Sequence, residues 1–447
     1  MKIQFIEGFI FRQYKDIKTY GIKELFRKFT LLISFLIKIQ ICFLAFFPCV
    51  IIRLISMWII IRIEKAPSAN YGNFVEDLAR YCCKKKLKID QPKKRHLDLF
   101  YILPSDKIHN KQLAKMWKRK LNFLSGYILD PINRVNRLIP GWKIHAIESL
   151  SANFVRDVDN LIERCELKGF KILDFTAEEE IFGKKMLKKF GLEDNDKFVC
   201  LAVRDGAYQL RKIPARFHDW SYHDYRNFDI DNFILAAEEL ARRGYYVFRM
   251  GVVANKSMNS ENPKIIDYVN SNLRSDFMDV YLGAKCSFCI STGLGFDQTP
   301  YVFSRPIALI NLPFGDLRTN SEKYLLLTSH HVLKKEKRRL SLSEIFSHGV
   351  AYAYDAKDFL EKGIELKDCT SDEIKDLAIE MVELFEFNKK LSLEEEKLQN
   401  TFKSLFASNI KRFKFYKEIE NPPNKMHGQI RARFCTKFLR ENRDWLR

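Results

Sequence analysis

Several things are missing from this 447-residue chain, and each absence removes a class of chemistry. There is no H-E-x-x-H pair, no G-x-S-x-G elbow and no Walker phosphate loop, so zinc-protease, serine-hydrolase and P-loop activities have no sequence support. No internal repeat occurs, and no low-complexity tract beyond the lysine clusters. Negative charge is also short: 56 acidic residues face 76 lysines and arginines, a net charge of +20. That excess implies attraction to something anionic. The lysine runs lack interleaved arginines and aromatics, so nucleic acid is not the expected partner. No cleavable secretory leader is recognised, and the ten cysteines are expected to stay reduced. Cys286 and Cys289 spell C-x-x-C, but in a strand-like run an offset of three puts them on opposite faces. No metal is expected.

Long apolar runs are confined to one place. From Phe29 to Ile52 the only charge is Lys38, and the segment is long enough to span a bilayer. Both flanks are basic: Lys2 to Lys28 on one side and Lys84 to Arg95 on the other. Basic flanks prefer the cytoplasmic side, so a monotopic or re-entrant anchor on an anionic membrane fits better than a single span. The cytoplasmic face of the inner membrane is the expected location.

Beyond the anchor (residues 1–56), alternating apolar runs and helical patterns predict two α/β domains, 57–190 and 191–371, followed by helices over 372–447. Strands are expected at Met57–Ile63, His96–Leu103, Phe170–Asp174, 198–204, Tyr245–Met250, 286–291 and Ile307–Asn311. Helices of matching length between them imply parallel sheets. Pro131–Trp142 reads as loop, and 262–273 as helix.

In such sheets ligands sit beyond the carboxyl ends of the strands. Arg204 and Asp205 end one strand; Ser291, Thr292, Gly293 and Gly295 end another. An arginine fork beside a glycine loop suits a diphosphate, with backbone N–H groups as donors. Arg249 at a third strand end, and the polar loop carrying His223, Arg226 and Asn227, are further donor-binding candidates. Thr292-Gly-Leu-Gly295 is not a dinucleotide fingerprint, because the third glycine position holds Gln298 and no acidic residue ends a strand about twenty residues later. The D-x-D triplets at 157–159, 194–196 and 229–231 follow no apolar strand.

VRDGAY (203–208), YHDYRN (222–227), RMG (249–251), the run from Asp279 to Gln298, and PYVFSRPIALIN (300–311) resemble bacterial surface-polysaccharide glycosyltransferases. MWKRKL (116–121) and PINRVNRLIPG (131–141) share that resemblance, which covers nearly everything after residue 57. A more distant similarity is to fucosyltransferase-like enzymes. The resemblance implies a GT-B fold, two Rossmann-like domains facing a cleft, with a nucleotide-sugar as co-substrate and no resident cofactor or metal. It implies that Arg204 and the 292–295 loop hold the donor diphosphate, and that the acceptor is lipid-linked or a polysaccharide. A non-catalytic membrane-bound scaffold of polysaccharide assembly is the alternative. The loop after the first strand often carries a histidine after its glycine in such enzymes; here the pair is Gly72-Asn73. The general base is therefore open between Asp77, in the first turn of a helix, and Asp205.

Overall fold

The computed structural model describes residues 21–147, 160–212, 221–353, 355–412 and 430–447. Among them, the strands and the helices of nine residues or more run in the order α1 (Ile22–Ile55), β1 (Ile60–Lys65), α2 (Tyr71–Leu87), β2 (His96–Tyr101), α3 (Lys111–Lys120), α4 (Gly126–Leu138), α5 (Ala177–Lys189) and β3 (Phe198–Ala202). There follow α6 (Ile234–Arg242), β4 (Tyr246–Arg249), β5 (Ile265–Ile266), α7 (Asp276–Lys285), β6 (Cys289–Ser291), β7 (Ile307–Ile310) and β8 (Tyr324–Leu327). The last are β9 (His330–Leu333), β10 (Arg338–Arg339), β11 (Ile364–Lys367), α8 (Ser371–Phe385), α9 (Leu393–Arg412) and β12 (Arg433–Phe434).

The chain divides into two compact units. Unit 1 comprises Met1–Ala66, Pro92–Asp106 and Leu121–Ser149; unit 2 comprises Pro67–Gln91, Lys107–Lys120 and Leu150–Arg447. The expected boundaries at 56, 190 and 371 are not the boundaries of these units. Helices α2 and α3 lie between β1 and α4 in sequence, yet both belong to unit 2.

Unit 1 holds a two-stranded parallel sheet in which Arg62 stands opposite Asp98. Their side chains form a buried bidentate pair, Nε–Oδ1 2.6 Å and Nη2–Oδ2 2.8 Å, which lets a charge occupy an otherwise apolar strand. Against this sheet Ala45 and Cys49 of α1 pack with Ile63, Tyr101 and Leu129, Ile132 and Val135 of α4. Pro131–Trp142 reads from the sequence as loop, yet its first part, through Leu138, belongs to α4. The period Leu129–Ile132–Val135 gives the helix a buried stripe, and that burial outweighs the one backbone hydrogen bond that Pro131 cannot donate. The apolar segment 29–52, long enough by residue count to span a bilayer, lies within α1. No helix among the described residues is long and apolar enough to cross a membrane, and one face of α1 belongs to the core of unit 1.

Unit 2 is built on a seven-stranded sheet in the order β12-β8-β7-β6-β3-β4-β5, parallel at every pairing. Every residue of β3, β6, β7 and β8 is buried, as expected of a parallel sheet covered on both faces. A separate antiparallel sheet has the order β10-β9-β11. Two local expectations fail. Residues 170–174 form no strand, although Ile172 and Leu173 are buried, and 262–273 contains β5 and a 3-10 turn rather than a helix. Asn262, whose side chain accepts from Lys264 N (3.1 Å), and Pro263 turn the chain there and commit it to edge pairing. The sequence over 149–164 also reads as a helix; residues 148–159 lie outside the described residues, and Leu161–Glu166 is helical.

Candidate functional site

The strand order of unit 2 reverses next to β3. Chain growth runs from β3 outward to β4 and β5, then returns to place β6 on the other side of β3. Loops leaving the two adjacent strands therefore part from one another and leave a crevice at the carboxyl edge. A cavity of about 380 Å³ occupies that edge, lined by the ends of β3, β4 and β6 and by the start of α2.

Arg204 and Asp205 leave β3 into it. The backbone N of Arg204 donates to Thr292 Oγ1 (3.0 Å), tying the two strand ends together. With its amide oxygen turned inward, Gln209 accepts from Nε and Nη2 of Arg204 at 3.2 and 2.7 Å, which orients the guanidinium. Asp205 organises backbone: Oδ1 accepts from Ala207 N (3.1 Å) and Oδ2 from Asn255 N (2.7 Å). The turn between strand and helix needs Gly206, which sits at φ +78° with the Asn227 amide where a Cβ would go.

The loop after β6 is closed by its own side chains. Ser291 Oγ donates to Asp297 Oδ1 (2.5 Å) and accepts from Gly293 N (3.0 Å), while Leu294 N donates to Asp297 Oδ2 (3.0 Å). Burial pushes the Asp297 carboxyl up to about 6, opposed by the Ser291 hydroxyl. The expectation that this loop offers its amides to a phosphate is therefore corrected for residues 293 and 294, whose N–H groups are bound internally. Thr292 is fully buried. Gly295 lies against Gly72: a Cβ on either would come within 3.0 Å of the other's backbone. These two glycines bring the start of α2 to the loop.

Arg226 lines the cavity and donates through Nη2 to Gly293 O (2.8 Å). Asn227 donates to Asp224 Oδ1 (3.1 Å) and backs Gly206. His223 lies within the turn Ser221–Arg226, but its side chain is outside the described residues. Arg249 lines the cavity but is only 2% exposed. Its guanidinium donates to Lys256 O and lies 3.5 Å from Asp267 Oδ1 and 3.7 Å from Asp205 Oδ2. It holds the 251–258 loop, and two carboxylates offset its charge.

Asp77 does not line the cavity. It is 5% exposed, and Oδ2 accepts from Asn73 Nδ2 (3.2 Å), the residue that does. Burial first, and the Glu76 carboxylate second, raise its pKa to about 7. Glu76 itself pairs with Arg318 at 3.0 and 3.3 Å. Asp98 belongs to unit 1, bound to Arg62.

Sequence reasoning missed the aromatic wall. Tyr71, His109, Tyr208 and Phe296 all line the cavity. Tyr71 stacks on Phe296 (centroids 6.4 Å, 26°), meets His109 edge-on at 5.4 Å and donates to or accepts from Thr299 Oγ1 at 2.7 Å. His109 in turn lies 5.5 Å from Tyr208. Tyr208 closes the VRDGAY motif and Phe296 lies within the Asp279–Gln298 run, but neither was singled out, and Tyr71 and His109 lie outside every recognised motif. Among the described residues one His–Cys–Glu group, His330, Cys369 and Glu373, has ligand atoms within 4.8 Å of one another. None of the three lines the cavity, and the Glu373 carboxylate already receives His330 (2.9 Å) and Thr370 N (2.8 Å).

No protein-family model and no curated protein matches this chain. Among solved structures it is similar to the glycosyl transferase family 9 protein from Veillonella parvula DSM 2008, with a TM-score of 0.37 and 14% identity over 60% of this chain and 86% of that one. It is also similar to the E. coli ADP-heptose lps heptosyltransferase II, at TM-score 0.34 and 12% identity over 60% and 90% of the two chains. An E. coli heptosyltransferase solved with ADP-2-deoxy-2-fluoro heptose gives a TM-score of 0.28 and 9% identity over 60% and 93%. Likenesses this distant assign neither fold nor activity.

Proposed function

We propose that this protein is a glycosyltransferase of GT-B type, which binds a nucleotide-activated sugar in the unit 2 cavity and transfers the sugar to an acceptor hydroxyl of a surface glycan or its lipid-linked precursor. The observation that carries this reading is the convergence, at the reversal point between β3 and β6, of two arginines and an aromatic wall. A nucleoside-diphosphate sugar presents an anionic diphosphate flanked by the rings of its base and its sugar. Arg204 and Arg226 offer charge-assisted donors to the first, and Tyr71, His109, Tyr208 and Phe296 offer surfaces to the second. The cavity volume, about 380 Å³, falls within the usual range for small-molecule sites. The motif resemblance to surface-polysaccharide glycosyltransferases points the same way.

In this reading the bond from the anomeric carbon to the diphosphate breaks as the acceptor oxygen bonds to that carbon. The arginines stabilise the charge developing on the leaving diphosphate, so transfer is expected to survive EDTA. Asp205, which lines the cavity, is assigned as the group that takes the acceptor proton. Asp77 is assigned a positioning role through Asn73. Thermal-shift titration with UDP-, GDP-, ADP- and CMP-sugars tests the binding step. A matched donor at a hundredfold excess over its Kd should add about 2.7 kcal/mol of stability. Stabilisation by none of the four removes this reading. Asp205→Asn should keep donor binding and lose turnover; if turnover survives, the proton leaves by another route.

A further inference from the structure

Unit 1 displays an apolar face that unit 1 itself does not cover. From Phe26 to Trp58, fourteen large hydrophobic side chains stand exposed, including Phe43, Leu44, Phe47, Ile51 and Leu54. A single exposed leucine is ordinary, but a run of this size marks a surface that is covered by something else. The opposite side of the helix is fixed. Ala45 and Cys49 are buried against α4, Cys49 Sγ donates to Ile132 O (3.2 Å), and Arg53 donates to Asn136 Oδ1 (2.9 Å) and Pro140 O (3.0 Å). Over its last turns, α1 is therefore a two-sided element with protein on one side and an apolar outer face.

We infer that this outer face lies in the interface of an anionic lipid bilayer, with α1 along the membrane plane. Three observations select lipid. First, the sequence of unit 1 carries 17 lysines and arginines against 8 acidic residues, a net +9 over 110 residues; unit 2 carries +11 over 337. An anionic surface supplies the missing countercharge, whereas a second copy would bring a unit of the same net sign. Second, Trp58 ends the apolar run and is 69% exposed; tryptophan, with an apolar ring and one N–H donor, favours the headgroup boundary. Third, the pinned inner face leaves α1 only partial access to lipid, which suits lying in the interface and not crossing it. This inference does not depend on the sugar-transfer reading.

The test uses the full chain with vesicles of phosphatidylcholine, alone or mixed with phosphatidylglycerol. The protein should float with the mixed vesicles, and brominated acyl chains should quench a tryptophan signal that Trp58→Phe removes. Because the outer side chains make no core contacts, a Phe43→Ser/Phe47→Ser/Leu54→Ser variant should unfold at the same temperature as the parent. It should bind mixed vesicles on the order of a hundredfold more weakly. Three results each overturn the inference: no flotation together with concentration-dependent dimerisation, which would make a second copy the cover; complete release by salt alone, which would leave the apolar face out of the lipid; and quenching that persists in Trp58→Phe.

Discussion

The two units treat their hydrophobic residues in opposite ways. Unit 2, three-quarters of the chain, buries β3, β6, β7 and β8 completely and exposes only eight large hydrophobic side chains among the described residues; unit 1 exposes twenty. The same residue types thus do two jobs. In unit 2 they hold a sheet whose rim must place arginines and glycines at fixed positions. In unit 1 one stripe of α1 holds the unit together and the rest faces outward. Average hydropathy does not distinguish these roles; the side of the helix does.

The strongest way to break this comparison is truncation. Deleting residues 1–52 removes Ala45, Cys49 and Ile52 from the unit 1 core, and should cost upward of about 4 kcal/mol of stability. Deleting 1–40 leaves those residues in place and should leave unit 1 folded. Limited proteolysis and calorimetry of the two truncations check this. Equal stability would mean that α1 is an appendage.

Next in size is Arg204. Removing a charge-assisted donor from the rim, as in Arg204→Ala, should reduce kcat/KM by roughly a hundredfold to a thousandfold. Arg204→Lys should recover little, because an ammonium cannot reproduce the fork. Vesicle binding should be unchanged in both, so a joint loss would contradict the separation of roles.

Asp77 sharpens the picture of the unit 2 interior. Its folded pKa of about 7 lies above the ordinary 3.8. Between those values the folded state holds a proton that the unfolded chain has released, so the stability of the native protein falls as pH rises through that window. Asp77→Asn keeps an acceptor for Asn73 and carries no charge. Its advantage over the parent should grow from about pH 4, level off above about pH 7, and reach at most about 4 kcal/mol. Parallel Tm-against-pH curves for the two proteins would show that Asp77 is not titrating in this range.

The smallest effect expected is at Gly72. A Cβ there would stand 2.9 Å from the Gly295 Cα. Gly72→Ala should cost roughly 1–2 kcal/mol and weaken donor binding more than it lowers Tm, because the displaced element is the cavity wall. An unchanged donor Kd would separate this contact from the site.

Much of this was legible in the sequence, and the limits are physical. The apolar runs that became β3, β4, β6 and β7 are short, buried and bounded by turn residues, so their existence and the residues at their ends could be read locally. Arg204, Asp205, Ser291 and Gly293 are where a strand-edge reading puts them. The segment around Pro131 could not be read that way, since its helix buries a stripe against α1 and the strands of unit 1, nor could 262–273, where Ile265 and Ile266 are extended by pairing with β4.

The sequence alone determined the alternation of strands and helices, the charge excess and the order in which strand-end residues appear, because these follow from local periodicity and composition. Tertiary structure alone decided what each face meets. It set Asp205 and Asp267 beside Arg249, turned the amides of the β6 loop onto Ser291 and Asp297, and drew Tyr71, His109, Tyr208 and Phe296 from distant segments to one wall. A residue's type fixes what it can bind, but only the packed chain fixes whether the partner is another part of the protein or is left for a ligand or a membrane.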